Sequence, residues 1–248
     1  MIGTRIVIKR GNKDDGERPF WISFSDLMTA LMVVFLLVMS VALLAVTKDV
    51  SEQQRKEAER RKDIQALLSE LKVAARTFNG VTVHDDDYQN PYIDLGPFAT
   101  FDRDKSQLKD SQTESFLRSY IANIISVADS EKGKKWFKQV VVEGYTDNTG
   151  KYLHNLDLSL RRSQRLVCVL LDQPRPDDAP LSDNQKDQVR KLFLVGGYSS
   201  NSAKSDPSLS RRIELKLKFW EINDSERKED MPQVDPTTDI GSCALGNE

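Results

Sequence analysis

The chain has 248 residues, with 36 Lys and Arg against 38 Asp and Glu, a formal net charge of -2, 2 His and 2 Cys. That length holds one or two compact units. The balanced charge excludes a global basic field for holding DNA or RNA, and two cysteines without a CxxC exclude a Cys-rich zinc module or a dense disulfide scaffold.

The first predicted element is an uncharged run of twenty residues, Leu27 to Val46, whose only polar side chains are Thr29 and Ser40. At about 1.5 Å per residue a helix of this length reaches roughly 30 Å, the thickness of a bilayer's hydrocarbon core. We expect a transmembrane helix over 20–47, with Phe20 and Trp21 as interfacial anchors. A secretory signal peptide is the other reading, although the run is long for one and no A-x-A follows it. Five basic residues precede the run and six follow within residues 47–66, so positive charge alone does not orient it.

Asp26 stands directly before this run. Ser23 and Thr29 lie three residues to either side of it and share its helical face. An ionised carboxylate near hydrocarbon is costly unless a proton, cation or hydrogen-bond donor is paired with it. Such a group can load and release an ion, with Ser23 and Thr29 supporting the path. A helix cap at headgroup level is the alternative reading of the same residues.

Residues 48–63 are charge-dense and lack Gly and Pro. Ile64, Leu67, Leu68, Leu71, Ala74 and Ala75 then recur as one helical stripe up to Asn79-Gly80. We read 48–79 as a helical connector. Its stripe would serve a side-by-side dimer, or pack on the chain's own globular domain.

From residue 80 to 222 the pattern is α+β. Strands are expected at 81–84, 92–95, 139–145, 192–195 and 211–220, the last with strict alternation of apolar and charged residues. A helix opens at the Ser111–Glu114 capping-box string, and another runs from about Asn155 to Asp172, ahead of Pro174 and Pro176. The order β-α-β-α-β with a final strand predicts a sheet with helices on one face. His84 beside three aspartates reads as a solvated turn, and residues 223–248 as an acidic, loosely held tail. Between the expected strand and the helix, Thr146-Asp147-Asn148-Thr149-Gly150 is a turn, and Arg162 follows fifteen residues after Asp147. A carboxylate and a guanidinium brought to one cleft would suit a ligand bearing both an ammonium and a carboxylate. Ordinary turn chemistry and a surface arginine account for the same residues. The sequence has no P-loop, no dinucleotide-binding glycine fingerprint and no metal-spaced His or Cys, so no enzyme is expected.

Two resemblances bear on these residues. Trp21 to Met39, WISFSDLMTALMVVFLLVM, resembles the membrane signature of MotB-type stator subunits, and its wording is closer to the ZorB family of the Zorya anti-phage system than to flagellar MotB. The resemblance implies that Asp26 carries an ion, H⁺ or Na⁺, with no other cofactor. It implies a homodimer inside a pentameric ring of a ZorA-like multi-span membrane protein. A plug role for 48–79 is implied by MotB resemblance alone.

Residues 95–220 are similar to the OmpA-like peptidoglycan-binding domain. Asp147, Asn155, Leu158, Ser159 and Arg162 match its G-H-T-D-N-x-G and N-x-x-L-S-x-x-R-A motif, and Ser210 to Glu214 resembles its closing N-R-R-V-E. By that likeness Asp147 takes the ammonium and Arg162 the carboxylate of diaminopimelate, Asn155 and Leu158 shape the pocket, and His154 is adjacent. Tyr145, Arg161, Ser163 and Ser210 depart from the pattern.

A wall-binding domain implies a periplasmic C-terminal part, a cytoplasmic tail at 1–19 and a single inner-membrane span, with no direct nucleic-acid partner. In that compartment Cys168 and Cys243 are candidates for a disulfide, or for one buried and one free thiol. A flagellar stator subunit and a passive OmpA- or Pal-like envelope tether are the alternative functions.

Overall fold

The computed structural model describes residues 20–172, 178–224, 235, 238–243 and 245, apart from the side chains of residues 20–23 and 111. The basic tail at 1–19, the side chains of Phe20, Trp21 and Ser23, Pro174, Pro176 and most of 223–248 therefore lie outside the described residues. The chain divides into two compact units, Met1–Arg55 and Lys56–Glu248.

The first unit holds the N-terminal part of helix α1, Phe20–Ala75. From Phe24 through Val50 its side chains are exposed, and they include Leu31, Val34, Phe35, Leu37, Val38 and Leu44. Among the described residues this is one helix long and apolar enough to cross a membrane. A helix apolar on all sides has no favourable place in water, so its partner is lipid or protein.

In the second unit the C-terminal turns of α1 are part of the globular core. Ile64, Leu67, Leu68 and Leu71 are fully buried and belong to one apolar cluster with residues of the sheet and the following helices. Polar contacts fix the same turns: Arg60 Nε donates to Trp220 O at 2.8 Å and Trp136 Nε1 to Asp63 Oδ2 at 2.9 Å. The stripe is thus covered by the chain's own core, the second of the two uses its spacing allows.

The sheet has five strands: β1 (Thr82–His84), β2 (Tyr92–Asp94), β3 (Phe137–Gly144), β4 (Phe193–Gly197) and β5 (Ile213–Phe219), in the order β1-β2-β5-β3-β4. β3 and β4 are parallel, and the other pairs are antiparallel. Register explains the two faces. Val83, Ile93, Leu215 and Val142 stand opposite one another across four strands and all are buried in the core. One residue along, the pairs place Asp94, Glu214 and Glu143 in a row on the other face. Each of these carboxylates has its own cation: Lys204 at 3.3 Å from Asp94, Arg212 at 2.6 Å from Glu214 and Lys216 at 4.0 Å from Glu143.

Helices α2 (Ser111–Asp129), α3 (Glu131–Trp136), α4 (Tyr152–Leu171), α5 (Asp183–Leu192) and the short α6 (Pro207–Ser210) complete the unit, with a 3₁₀ turn at Gly96–Ala99. The cap of α2 falls one residue earlier than the capping-box string predicts. Asp110 is the N-cap, and its carboxylate accepts from Thr113 N at 2.7 Å. Aspartate is as good a cap as serine and adds a charge favoured by the helix dipole. The capping box instead forms at α5, between Ser182 and Gln185.

Two glycines let α4 lie close on the sheet. A Cβ at Gly144 would collide with the carbonyl oxygen of Ser159, and one at Gly197 would crowd Leu156 and Leu160 backbone atoms. Cys168 of α4 is disulfide-bonded to Cys243, so the bond, and not the pair of thiols, is the state of these residues. His84 stacks on Tyr92 with ring centroids 4.5 Å apart.

Candidate functional site

A cleft of about 210 Å³ opens where β3 ends, lined by Asp147, His154, Asn155, Leu158, Arg162 and Arg211 among others. The turn after β3 fixes its carboxylate. Asp147 Oδ1 accepts from Thr149 N at 2.9 Å, an Asx turn, and Asn155 Nδ2 donates to Asp147 O at 3.3 Å. Asp147 Oδ2 accepts from Arg211 Nη1 at 2.8 Å. Burial pushes the Asp147 carboxyl up, but the Arg211 guanidinium and the Thr149 N–H outweigh it and hold the group below the usual aspartate value.

Arg162 is fully buried on α4. It donates to three backbone carbonyls: Nε to Lys105 O at 2.9 Å, Nη1 to Tyr145 O at 2.8 Å and Nη2 to Asp102 O at 3.1 Å. Its guanidinium also lies 5.0 Å from the centroid of the Phe101 ring. Burial, then repulsion from Arg211, lowers its pKa to about 10, still far above neutrality, so the cation is retained. The close approach of α4 at Gly144 allows this side chain to reach loop 102–105 and the end of β3 together.

The donors and acceptors are not exhausted. A guanidinium has five N–H groups and a carboxylate about four acceptor sites. The protein itself uses three of the five Arg162 N–H groups and one acceptor site on each Asp147 oxygen. Thr146 Oγ1 is buried against the cleft without a hydrogen-bond partner among the described residues, and a bound polar group would satisfy it. His154 stands at the rim, its Nε2 3.0 Å from Asp104 Oδ1.

The sequence-predicted residues Asp147, His154, Asn155, Leu158 and Arg162 all line this cleft. Arg211, Arg103 and Asp104 also line it and were assigned no role from sequence. Arg211 sits inside the Ser210 to Glu214 string, which was its available signal; Arg103 and Asp104 carry none. Arg211 changes the site: Asp147 is already a member of an ion pair.

In the first unit, Asp26 is the sole charged residue between Arg18 and Lys48. Thr29 Oγ1 donates to the carbonyl oxygens of Ser25 and Asp26, both at 2.9 Å, and Ser40 Oγ to Leu36 O at 2.7 Å. These hydroxyls are satisfied by their own helix. The Thr29 hydroxyl is thus turned to the backbone, and the Ser23 side chain lies outside the described residues.

The chain is 39% identical over 245 residues to the Zorya protein ZorB of Escherichia coli O139:H28, covering 99% of this chain and 98% of that protein. The chain belongs to the ZorB family. A second ZorB, from the Crooks strain of Escherichia coli, is 24% identical over 238 residues, covering 86% of this chain and 93% of that protein. Residues 8–57 match the family model described as membrane MotB of the proton-channel complex MotA/MotB. The periplasmic domain of Helicobacter pylori MotB is similar at 20% identity and a TM-score of 0.41, covering 63% of this chain and 88% of that one. A MotB-like protein from Desulfovibrio vulgaris has a TM-score of 0.42 at 13% identity, covering 68% of this chain and 99% of that one. In this ZorB family member the matched residues 8–57 include Asp26 and the whole uncharged run.

Proposed function

We propose that this ZorB family chain is the wall-anchored, ion-carrying subunit of an inner-membrane motor complex acting in Zorya anti-phage defence. The observation that carries the reading is the match to a Zorya protein over 99% of the chain, with Asp26 inside the segment that fits the proton-channel family.

In this reading the helix at 20–47 crosses the inner membrane once, with 1–19 cytoplasmic and the α+β unit periplasmic. The Cys168–Cys243 disulfide supports that side, because such bonds persist in oxidising compartments. The partner is a ZorA-like multi-span protein, five copies around a dimer of this chain. The chain is not an enzyme; its work is electrostatic and mechanical.

Asp26 takes up an ion, H⁺ or Na⁺, and releases it on the other side of its partner ring. Moving one charge across the membrane is worth about 2.3 kcal/mol per 100 mV, enough to bias a step that depends on whether the carboxylate is neutral. Force from that step is useful only against a fixed point. The Asp147–Arg162 cleft supplies it by holding the ammonium and carboxylate of diaminopimelate in peptidoglycan.

The test is phage plating on cells carrying the complete system. Asp26→Asn and Asp147→Asn should each abolish protection while the protein remains at wild-type level in the membrane. A passive tether would tolerate Asp26→Asn, and retention of protection by that variant refutes the motor reading.

A further inference from the structure

The wall-binding cleft has a neighbour that no part of this reading uses. Thr100 and Arg212 form an isolated antiparallel bridge, Phe101 N donates to Arg211 O at 3.0 Å, and Arg211 Nε donates to Phe101 O at 2.9 Å. This junction holds the Arg211 side chain in place. Arg211 lines the Asp147 cleft and also a second cleft of about 340 Å³, lined by Asp94, Pro97, Lys109, Lys204 and Leu209 among others. The two clefts are therefore adjacent and share Arg211.

The second cleft is cationic. Asp94 is its acidic side chain, set against Lys109, Lys204, Arg211 and Arg212. Arg212 is spent on Glu214 at 2.6 Å and on the carbonyls of Ser202 and Leu209 at 3.4 Å. Lys204 Nζ uses one donor on Asp94 Oδ2 at 3.3 Å, and the other oxygen of Asp94 accepts Gly96 N at 2.9 Å. Arg211 has used Nε and one Nη1 donor, leaving N–H groups of its fork. Lys109 is exposed. Beside these donors lies apolar surface from Pro97 and from Leu209, which is 52% exposed. Cations next to a small apolar patch suit a carboxylate on a short aliphatic stem, more than a fully hydrated phosphate.

We infer that the Lys109–Lys204 cleft is a second subsite for the wall peptide, and that it takes the free carboxylate of the residue joined to the diamino acid. The inference rests on the Asp147–Arg162 cleft being the diaminopimelate site. An extended chain advances about 3.3–3.6 Å per residue, and Arg211, which lines both clefts, marks the side on which the neighbouring residue of a ligand anchored there would enter the second one. Arg211 then contacts the ligand from both clefts and sets its direction.

Titration calorimetry with the full-length protein in detergent tests this with three probes. These are meso-diaminopimelate, the tripeptide L-Ala-γ-D-Glu-meso-diaminopimelate, and the same tripeptide with the glutamate α-carboxylate amidated. The tripeptide should bind about 5- to 10-fold tighter than the free diamino acid, the size of a partly exposed charge-assisted contact, and amidation should remove that advantage. In the Lys109→Gln, Lys204→Gln double variant the ratio of the two affinities should fall to about one. Equal binding of the tripeptide and its amide, or a ratio unchanged in the double variant, overturns the second subsite alone. Failure of all three probes to bind the wild type overturns the diaminopimelate reading and the subsite with it.

Discussion

Arg211 and Asp147, separated by 64 residues in sequence, meet through a 2.8 Å contact from Nη1 to Oδ2 at the mouth of the cleft. One comes from the segment before β5 and the other from the turn after β3, so the ion pair closes the site only when the sheet is assembled.

That pair has a pH signature. The folded carboxyl of Asp147 lies below its unfolded value of about 3.9, so the stability it contributes is present above about pH 4 and is lost as pH falls through the lower folded value. Denaturation midpoints should be flat from about pH 8 to 5 as far as this group is concerned and drop below about pH 4. Asp147→Asn should show a shallower acid limb than the wild type, and identical limbs would contradict the assignment.

Arg162 and Asp147 should separate folding from binding. Arg162→Ala leaves three backbone carbonyls without their donor in a buried site, at about 1–3 kcal/mol each, and should lower stability by about 3 kcal/mol or more. Arg162→Lys should restore little, because an ammonium cannot fork to three fixed acceptors. Asp147→Asn keeps the shape of the turn and should lose peptidoglycan pull-down with a cooperative unfolding transition retained.

The connector stripe makes a third test. Leu68 is fully buried within its own chain, and Leu68→Ala should destabilise the folded unit by about 3 kcal/mol in urea. A variant that unfolded like the wild type and changed only its oligomeric state would put the stripe in a dimer interface instead.

The disulfide closes a separation of 75 residues, from the middle of the domain to the chain's end. Replacing both cysteines by serine should cost about 4 kcal/mol by loop-closure entropy and abolish the sensitivity of unfolding to reductant. An unfolding curve equal to that of the oxidised wild type would show that the bridge constrains nothing.

Much of this arrangement is written locally in the chain. The uncharged run at 27–46 and the alternation of β5 are patterns that period and length reveal without tertiary information. Asp147 and Arg162 are legible as a turn and the helix after it, while the grouping of His154, Asn155 and Leu158 with them comes from the resemblance to the OmpA-like motif, and the structure brings all five to one cleft. Arg211 was not legible, because its partner is set by strand pairing between β3 and β5, which no local pattern reports. The same limit applies to the connector. Its apolar spacing specifies a buried face but not what buries it, and core completion by Ile64, Leu67, Leu68 and Leu71 decides the matter. The cap of α2 moved by one residue because Asp110 and Ser111 are both competent caps and only the backbone path chooses between them.

The most direct measurement is ion flux through membranes containing this chain and its multi-span partner, compared for the wild type, Asp26→Glu and Asp26→Asn at equal protein levels. The account predicts flux in the wild type, reduced flux with glutamate, and none with asparagine, which keeps the size of the side chain but cannot change charge. Flux in Asp26→Asn equal to the wild type would contradict it.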